Sequence, residues 1–263
     1  MVSVTWLEGF DPSYIFKSRE EFKNWLLSHI DLTYLPPYLP NDDLKAFINR
    51  AISYGFKRVC LPITSVAGAE ELIGKDGKIE LITFISSFHG NRDLTEEKKQ
   101  ACYSAISLKV SEIEFSPNLS LLGDNPDLFK AEITSILDIT KHVNKVSKAY
   151  LEIDKLPDEM INKAIQLSQE CQPDYISILI NLLEEENYDG ENLNSSKVWF
   201  EKVNNALGNE KKTKLKVYGR IDNFNTLLPI LYLATKYNWS LDDLRIGTEY
   251  GFDIIDGLDT SSL

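Results

Sequence analysis

The sequence predicts a single closed (β/α)8 barrel of the α/β class, and three observations lead there. Short apolar runs of β type alternate with amphipathic helical stretches eight times along the chain, which favours a parallel sheet and, at eight repeats, closure. The length of 263 residues matches the roughly 250 residues such a barrel takes as one unit. No Pro/Ser/Gly-rich linker divides it, so one domain is expected over residues 1–263. The first βα turn is not glycine-rich, which argues against an open doubly wound sheet.

An amphipathic helix over 19–28 is expected to plug the barrel floor before the first strand. Strands are expected near 29–33, 57–62, 80–85, 110–115, 149–153, 174–179, 215–218 and 244–247. Helices separate them at 41–54, 65–73, 95–108, 126–143, 157–170, 195–207 and 224–237, with a short last helix after Gly251. Leu44, Phe47, Ile48, Ala51 and Ile52 sit at helical spacing behind Asn41, read as an N-cap, and Gly55 is the stop. Lys57 to Pro62 is a short apolar run of the kind found in buried parallel strands. Asn125 and Pro126 open a helix as cap and first-turn proline, with Ile133, Ile136, Leu137 and Val143 along one side. The one biased segment, Leu183 to Asn194, carries Glu184, Glu185, Glu186, Asp189 and Glu191. It follows the sixth strand, on the face where barrels build their sites, and reads as a solvated acidic loop.

Composition narrows the function. With 28 Lys and Arg against 40 Asp and Glu, the net charge of −12 repels nucleic acid and anionic lipid, which both need a positive field. No apolar run approaches the roughly 20 residues of a membrane span, and the first twenty residues lack the pattern of a secretory signal. Cys60, Cys102 and Cys171 are sparse and far apart, as expected of reduced thiols in a cytoplasmic protein. No His, Cys, Asp or Glu cluster has metal-ligand spacing, so no metal and no cofactor is expected. Of the three histidines, His89 follows the third strand on the face that would hold a site.

Several segments in order carry a resemblance: Ile30-Asp31-Leu32-Thr33; Ala51 through Tyr54-Gly55-Phe56 to Val59-Cys60; Glu112-Ile113-Glu114 to Asn118; Tyr150-Leu151-Glu152-Ile153; Lys216-Val217-Tyr218-Gly219-Arg220; and Arg245-Ile246-Gly247-Thr248. Together they span most of the chain, which resembles a divergent member of the deoxyribose-phosphate aldolase family, within the class I aldolase superfamily. The resemblance implies the same barrel and, for a typical member, a carbon–carbon lyase working through a Schiff base on a sixth-strand lysine. Imine formation needs a neutral amine, held so by desolvation or a second cation. At that position this chain has Ser177, followed by Ile178, Leu179 and Ile180. A hydroxyl cannot form an imine.

The resemblance places Lys216 at the family's second lysine and Glu114 at its proton-transferring aspartate, so the two are expected to form an ion pair inside the barrel mouth. Asp31 and Cys60 are expected on the pocket floor with Glu152. Without a lysine beside it, Lys216 is expected to stay protonated. The family's phosphate cradle is also altered: Glu249 and Tyr250 interrupt the second turn, and Arg220 enters the first. An Arg220–Glu249 pair is expected to occupy that place. Two readings follow. One is a barrel without standard aldolase activity, serving small-molecule binding or another non-catalytic role. The other is a divergent lyase acting on an unphosphorylated carbonyl or sugar, with Lys216 and Glu114, and with Asp31 or His89 assisting. They part at the mouth, which Tyr218, Tyr250 and Leu179 would fill in the first case. A small-molecule ligand is the expected partner, and assembly into a homo-oligomer is left open.

Overall fold

The computed structural model describes residues 11–108, 110–179, 190–208 and 211–260. Eight parallel strands close in chain order: β1 (Ile30–Thr33), β2 (Arg58–Pro62), β3 (Glu80–Phe84), β4 (Glu112–Phe115), β5 (Val146–Leu151), β6 (Tyr175–Leu179), β7 (Lys214–Tyr218) and β8 (Leu244–Thr248). β8 returns to β1 with Asp31 opposite Gly247. Around them lie α1 (Arg19–His29), α2 (Asn41–Tyr54), α3 (Val66–Ile73), α4 (Thr95–Ser107), α5 (Pro126–His142), α6 (Asp158–Cys171), α7 (Gly190–Leu207), α8 (Phe224–Lys236) and α9 (Gly251–Thr260). This is the (β/α)8 barrel the sequence predicts, with its leading N-terminal helix.

Every strand alternates between a helix-facing and an axis-facing side. The helix-facing side supplies the apolar core, among it Leu32, Val59, Leu61, Ile113, Phe115, Ala149, Ile176, Ile178 and Val217. The axis-facing side is unusual for a barrel, where branched aliphatics normally fill the interior. Here it carries Asp31, Arg58, Glu112, Glu114, Lys148, Lys216 and Arg245, all buried or half-buried.

α1 packs against β8 and α9. Ser18 caps it by accepting from the Glu21 amide, and Phe22, Trp25 and Leu26 are buried. Its last turn leaves carbonyls without helical partners. One of them, Ser28, accepts from Arg58 Nη1 and from Arg245 Nη1, both at 2.6 Å, so interior arginines pin the last turn of this helix to the floor of the barrel.

Three local expectations change. Pro40, not Asn41, is the N-cap of α2, and no side chain caps that end, because proline cannot accept an amide hydrogen bond through its ring. α7 begins at Gly190, five residues early. β5 begins at Val146 rather than 149, and this shift matters below. Ile180 and the acidic segment as far as Asp189 fall outside the described residues. Among the described residues, no helix is long and apolar enough to cross a membrane.

Candidate functional site

Alternating charges climb the barrel axis. On the floor, Arg58 Nε lies 2.8 Å from Glu80 and 3.0 Å from Glu112. Glu112 is bridged on its other oxygen by Lys148, 2.5 Å away. Lys148 also bonds to Asp31, and the same Asp31 oxygen lies 3.3 Å from Lys216. Lys216 then meets Glu114 at 2.6 Å. The three carboxylates and two lysines at the centre are at most a few per cent exposed. Charges so deep persist only when each is paired.

Their titration follows. Burial alone would raise the Asp31 pKa, but Lys148, Lys216 and Arg245 outweigh it and hold the carboxyl well below its usual range. Burial alone would lower the Lys216 pKa, and Glu114 and Asp31 reverse this, leaving it above a normal lysine. Lys148 is raised in the same way by Asp31 and Glu112. Lys216 does have a second lysine within the network, contrary to the expectation that it stands alone. It stays charged nonetheless, because two carboxylates face it.

Gly247 makes room for this arrangement. A Cβ there would meet the Lys216 stem at 2.6 Å and Tyr218 at 2.7 Å. Ser177 is Lys216's neighbour across β6 and β7. It is fully buried, and its hydroxyl has no hydrogen-bond partner among the described residues. Cys60 lies across the cavity, its thiol pushed up to about 12 by burial, so it is not a thiolate near neutrality.

Above Lys216 and Glu114 sits a cavity lined also by Thr33, Leu35, Cys60, Phe84, Phe88, Tyr150 and Tyr218. Its free space is about 10 Å³, room for about one water and far below the roughly 300 Å³ at which small-molecule pockets begin. Four rings crowd it: Tyr150 packs edge-on against Tyr218 at 6.2 Å and against Phe84 at 5.6 Å, and Phe88 lies 5.1 Å from Phe84. Of the three residues expected to fill the mouth, Tyr218 does so. Tyr250 and Leu179 are half-buried elsewhere, and Phe84, Phe88 and Tyr150 take their place.

The Arg220–Glu249 pair is not formed. Both residues are exposed, and Arg220 Nε instead donates to Asp222 at 3.2 Å, with its guanidinium carbon 5.9 Å from the Tyr250 ring. A partner two residues away requires less ordering than one across two loops.

His89 is placed against Glu152, its Nδ1 bonded to that carboxylate. Its loop is tied down from below. Lys98, fully buried on α4, donates to Gly90 O at 2.7 Å, Ser116 O at 3.0 Å and Glu132 at 2.8 Å. Glu132 also accepts from Asn118 N at 2.7 Å. Ser116 donates to Phe88 O at 2.7 Å, and Asp93 accepts from Ser87 N at 2.6 Å. Gly90 has φ +67°, and a Cβ there would fall 2.4 Å from Pro117 O. Gly90→Ala is therefore expected to cost about 2–4 kcal/mol, combining left-handed strain with overpacking. Urea unfolding would measure it, and a change under about 0.5 kcal/mol, the usual range for a surface site, would mean the loop readily gives way.

Sequence reasoning missed Lys148, Glu112, Phe84, Phe88 and Tyr150 as site residues. A signal for Lys148 existed: Ser147 and Lys148 precede an apolar run at the two-residue period of β5. Polar residues facing a charged axis are indistinguishable in sequence from the end of a loop.

No family model matches the chain. It is 29% identical over 164 residues to the deoxyribose-phosphate aldolase of Caldanaerobacter subterraneus subsp. tengcongensis, covering 62% of this chain and 70% of that one. To the Streptococcus suis enzyme of the same name it is 31% identical over 152 residues, covering 57% and 67%. The alignments thus span about two thirds of these relatives. In fold it is similar to deoxyribose phosphate aldolase from Aeropyrum pernix, described as a unique tetrameric structure, with TM-score 0.70, 20% identity and coverage of 94% and 95%.

Proposed function

The chain belongs to the deoxyribose-phosphate aldolase family, and from that premise we propose that it is a member without the family's imine chemistry, retaining the barrel for small-molecule binding. Ser177 at the Schiff-base position carries this reading: the atom that would bond to a substrate carbonyl is an alcohol oxygen. The interior amines support it. Lys148 and Lys216 are each flanked by two carboxylates, and their raised pKa values leave a negligible neutral fraction at pH 7. Lys98 is fully buried against Glu132. The turns corresponding to the family's phosphate cradle carry Arg220 engaged with Asp222 and an exposed Glu249, which disfavours a dianion. Asp31, Glu114 and Lys216 then serve as structural charges of the site rather than as its reactive groups. Location in the cytoplasm and homo-oligomeric assembly complete the reading; the tetrameric Aeropyrum pernix neighbour supports the latter.

The divergent-lyase alternative has one observation in its favour: Lys216 and Glu114 line the cavity together. A single experiment separates the two. Incubation with deoxyribose 5-phosphate and borohydride, followed by intact-mass and peptide analysis, is expected to leave the chain unmodified. A covalent adduct at Lys216 would overturn the proposal and make Lys216 the amine with Glu114 as its base.

A further inference from the structure

Beyond the interior ladder, the described residues hold one other polar arrangement built with comparable care, at the rim of the mouth. Within the tied-down loop after β3, Phe88 and His89 are both exposed. His89 is held by Glu152, which follows β5 and is itself nine-tenths buried. The other ring nitrogen, Nε2, has no hydrogen-bond partner among the described residues. A carboxylate fixed to Nδ1 sets the ring's orientation, so Nε2 is presented in a defined direction. Beside it, the Phe88 ring continues into the Phe84 and Tyr150 rings, 5.1 Å and 6.4 Å away.

The surrounding charge is negative. Burial first, then the nearby Glu152, Glu114 and Asp154, raise the Tyr150 hydroxyl pKa, and burial with Glu249 does so for Tyr218. Two cations of the mouth are already engaged among the described residues, Lys216 by Glu114 and Asp31, Arg220 by Asp222. A phosphate dianion would meet the carboxylates Glu152 and Glu249 here. A neutral polyhydroxy compound meets an aromatic face for its apolar side and a fixed imidazole for one hydroxyl.

We infer that His89, Glu152 and Phe88 form the ligand-contacting rim of this barrel, and that its ligand class is a small unphosphorylated sugar. Nε2 hydrogen-bonds a sugar hydroxyl, Glu152 positions the ring, and Phe88 packs on the sugar's carbon face. The assignment rests on the reading that the phosphate cradle and the imine are lost, and it adds a substrate class and the residues that select it.

Calorimetric titration of the full chain with 2-deoxyribose and with deoxyribose 5-phosphate tests it. The free sugar is expected to bind at least about tenfold more tightly than its phosphate. His89→Ala and Phe88→Ala should each weaken free-sugar binding by about tenfold, the range for losing one hydrogen bond or one packed ring. His89→Gln should recover part of that loss, and the Tm of each variant reports whether the rim has stayed folded. Equal or tighter binding of the phosphate, no measurable binding of either sugar, or a Kd unaffected by His89→Ala in a folded variant would each overturn the inference. A borohydride-trapped adduct would instead overturn only the loss of imine chemistry, since it reads a different residue and a covalent bond.

Discussion

Lys148→Met is expected to lower the unfolding free energy by about 3–5 kcal/mol, the range for removing one partner from a buried ion pair. Met fills nearly the same volume, so little of the loss comes from a cavity. What remains is Asp31 and Glu112, both buried: Asp31 loses its bonded ammonium and keeps Lys216 at 3.3 Å, and Glu112 keeps only Arg58. The pH dependence gives a second check, with its sign fixed by the direction of the Asp31 shift. In the native protein Asp31 is depressed, so its contribution is present above the unfolded carboxylate pKa, about 3.9, and is lost as pH falls through the folded value. In the variant, burial is less fully opposed and the carboxyl binds its proton at higher pH. The stability gap should therefore be widest near neutrality and narrow as pH falls below about 5. Urea denaturation at pH 7 and pH 4 measures both. A loss below about 1 kcal/mol at neutral pH, the level of an exposed pair, would mean that Lys148 is not the centre of the ladder.

Ser177→Lys is expected to convert a chain that borohydride cannot label into one that it labels at position 177. The new amine would occupy a fully buried site whose hydroxyl has no partner, opposite Lys216 across β6 and β7. Burial and a neighbouring ammonium both disfavour a second positive charge, and both lower the new amine's pKa. Lys216, held by Glu114 and Asp31, stays cationic and supplies that field. With acetaldehyde as the carbonyl probe, a borohydride adduct on a β6 peptide should appear in the variant and be absent from the parent. The longer side chain costs about 1–3 kcal/mol in packing, so Tm is recorded alongside. A folded variant that stays unlabelled would show that the site lost more than its nucleophile, the aromatic filling of the mouth being the remaining obstacle. Labelling of the parent would show that Ser177 does not mark a loss.

The sequence by itself determined the barrel. Eight apolar runs alternating with amphipathic helices permit few architectures, and the strand order of a closed parallel barrel follows chain order. That β6 carries Ser177 and no lysine was equally legible, because it is a statement about residue types within one strand. The proximity of Glu114 and Lys216, 102 residues apart, was legible through the family register, which fixes the face of the strand on which each lies.

The tertiary structure decided what each charge touches. Lys148 went unnoticed because its strand was expected to start at 149, and an inward lysine looks polar until the axis it faces is known to be charged. Its meaning depends on Asp31, 117 residues away, and on Glu112 from a third strand. His89 was singled out for its place after β3, but the carboxylate that orients it lies 63 residues on. For Arg220 and Glu249 the loop positions were right to compare, yet both side chains reach solvent. There a local carboxylate competes better than a distant one. Periodicity along the chain records which way a side chain faces. Only closure of the sheet brings eight such faces onto one axis, and that closure decides which charges neutralise one another.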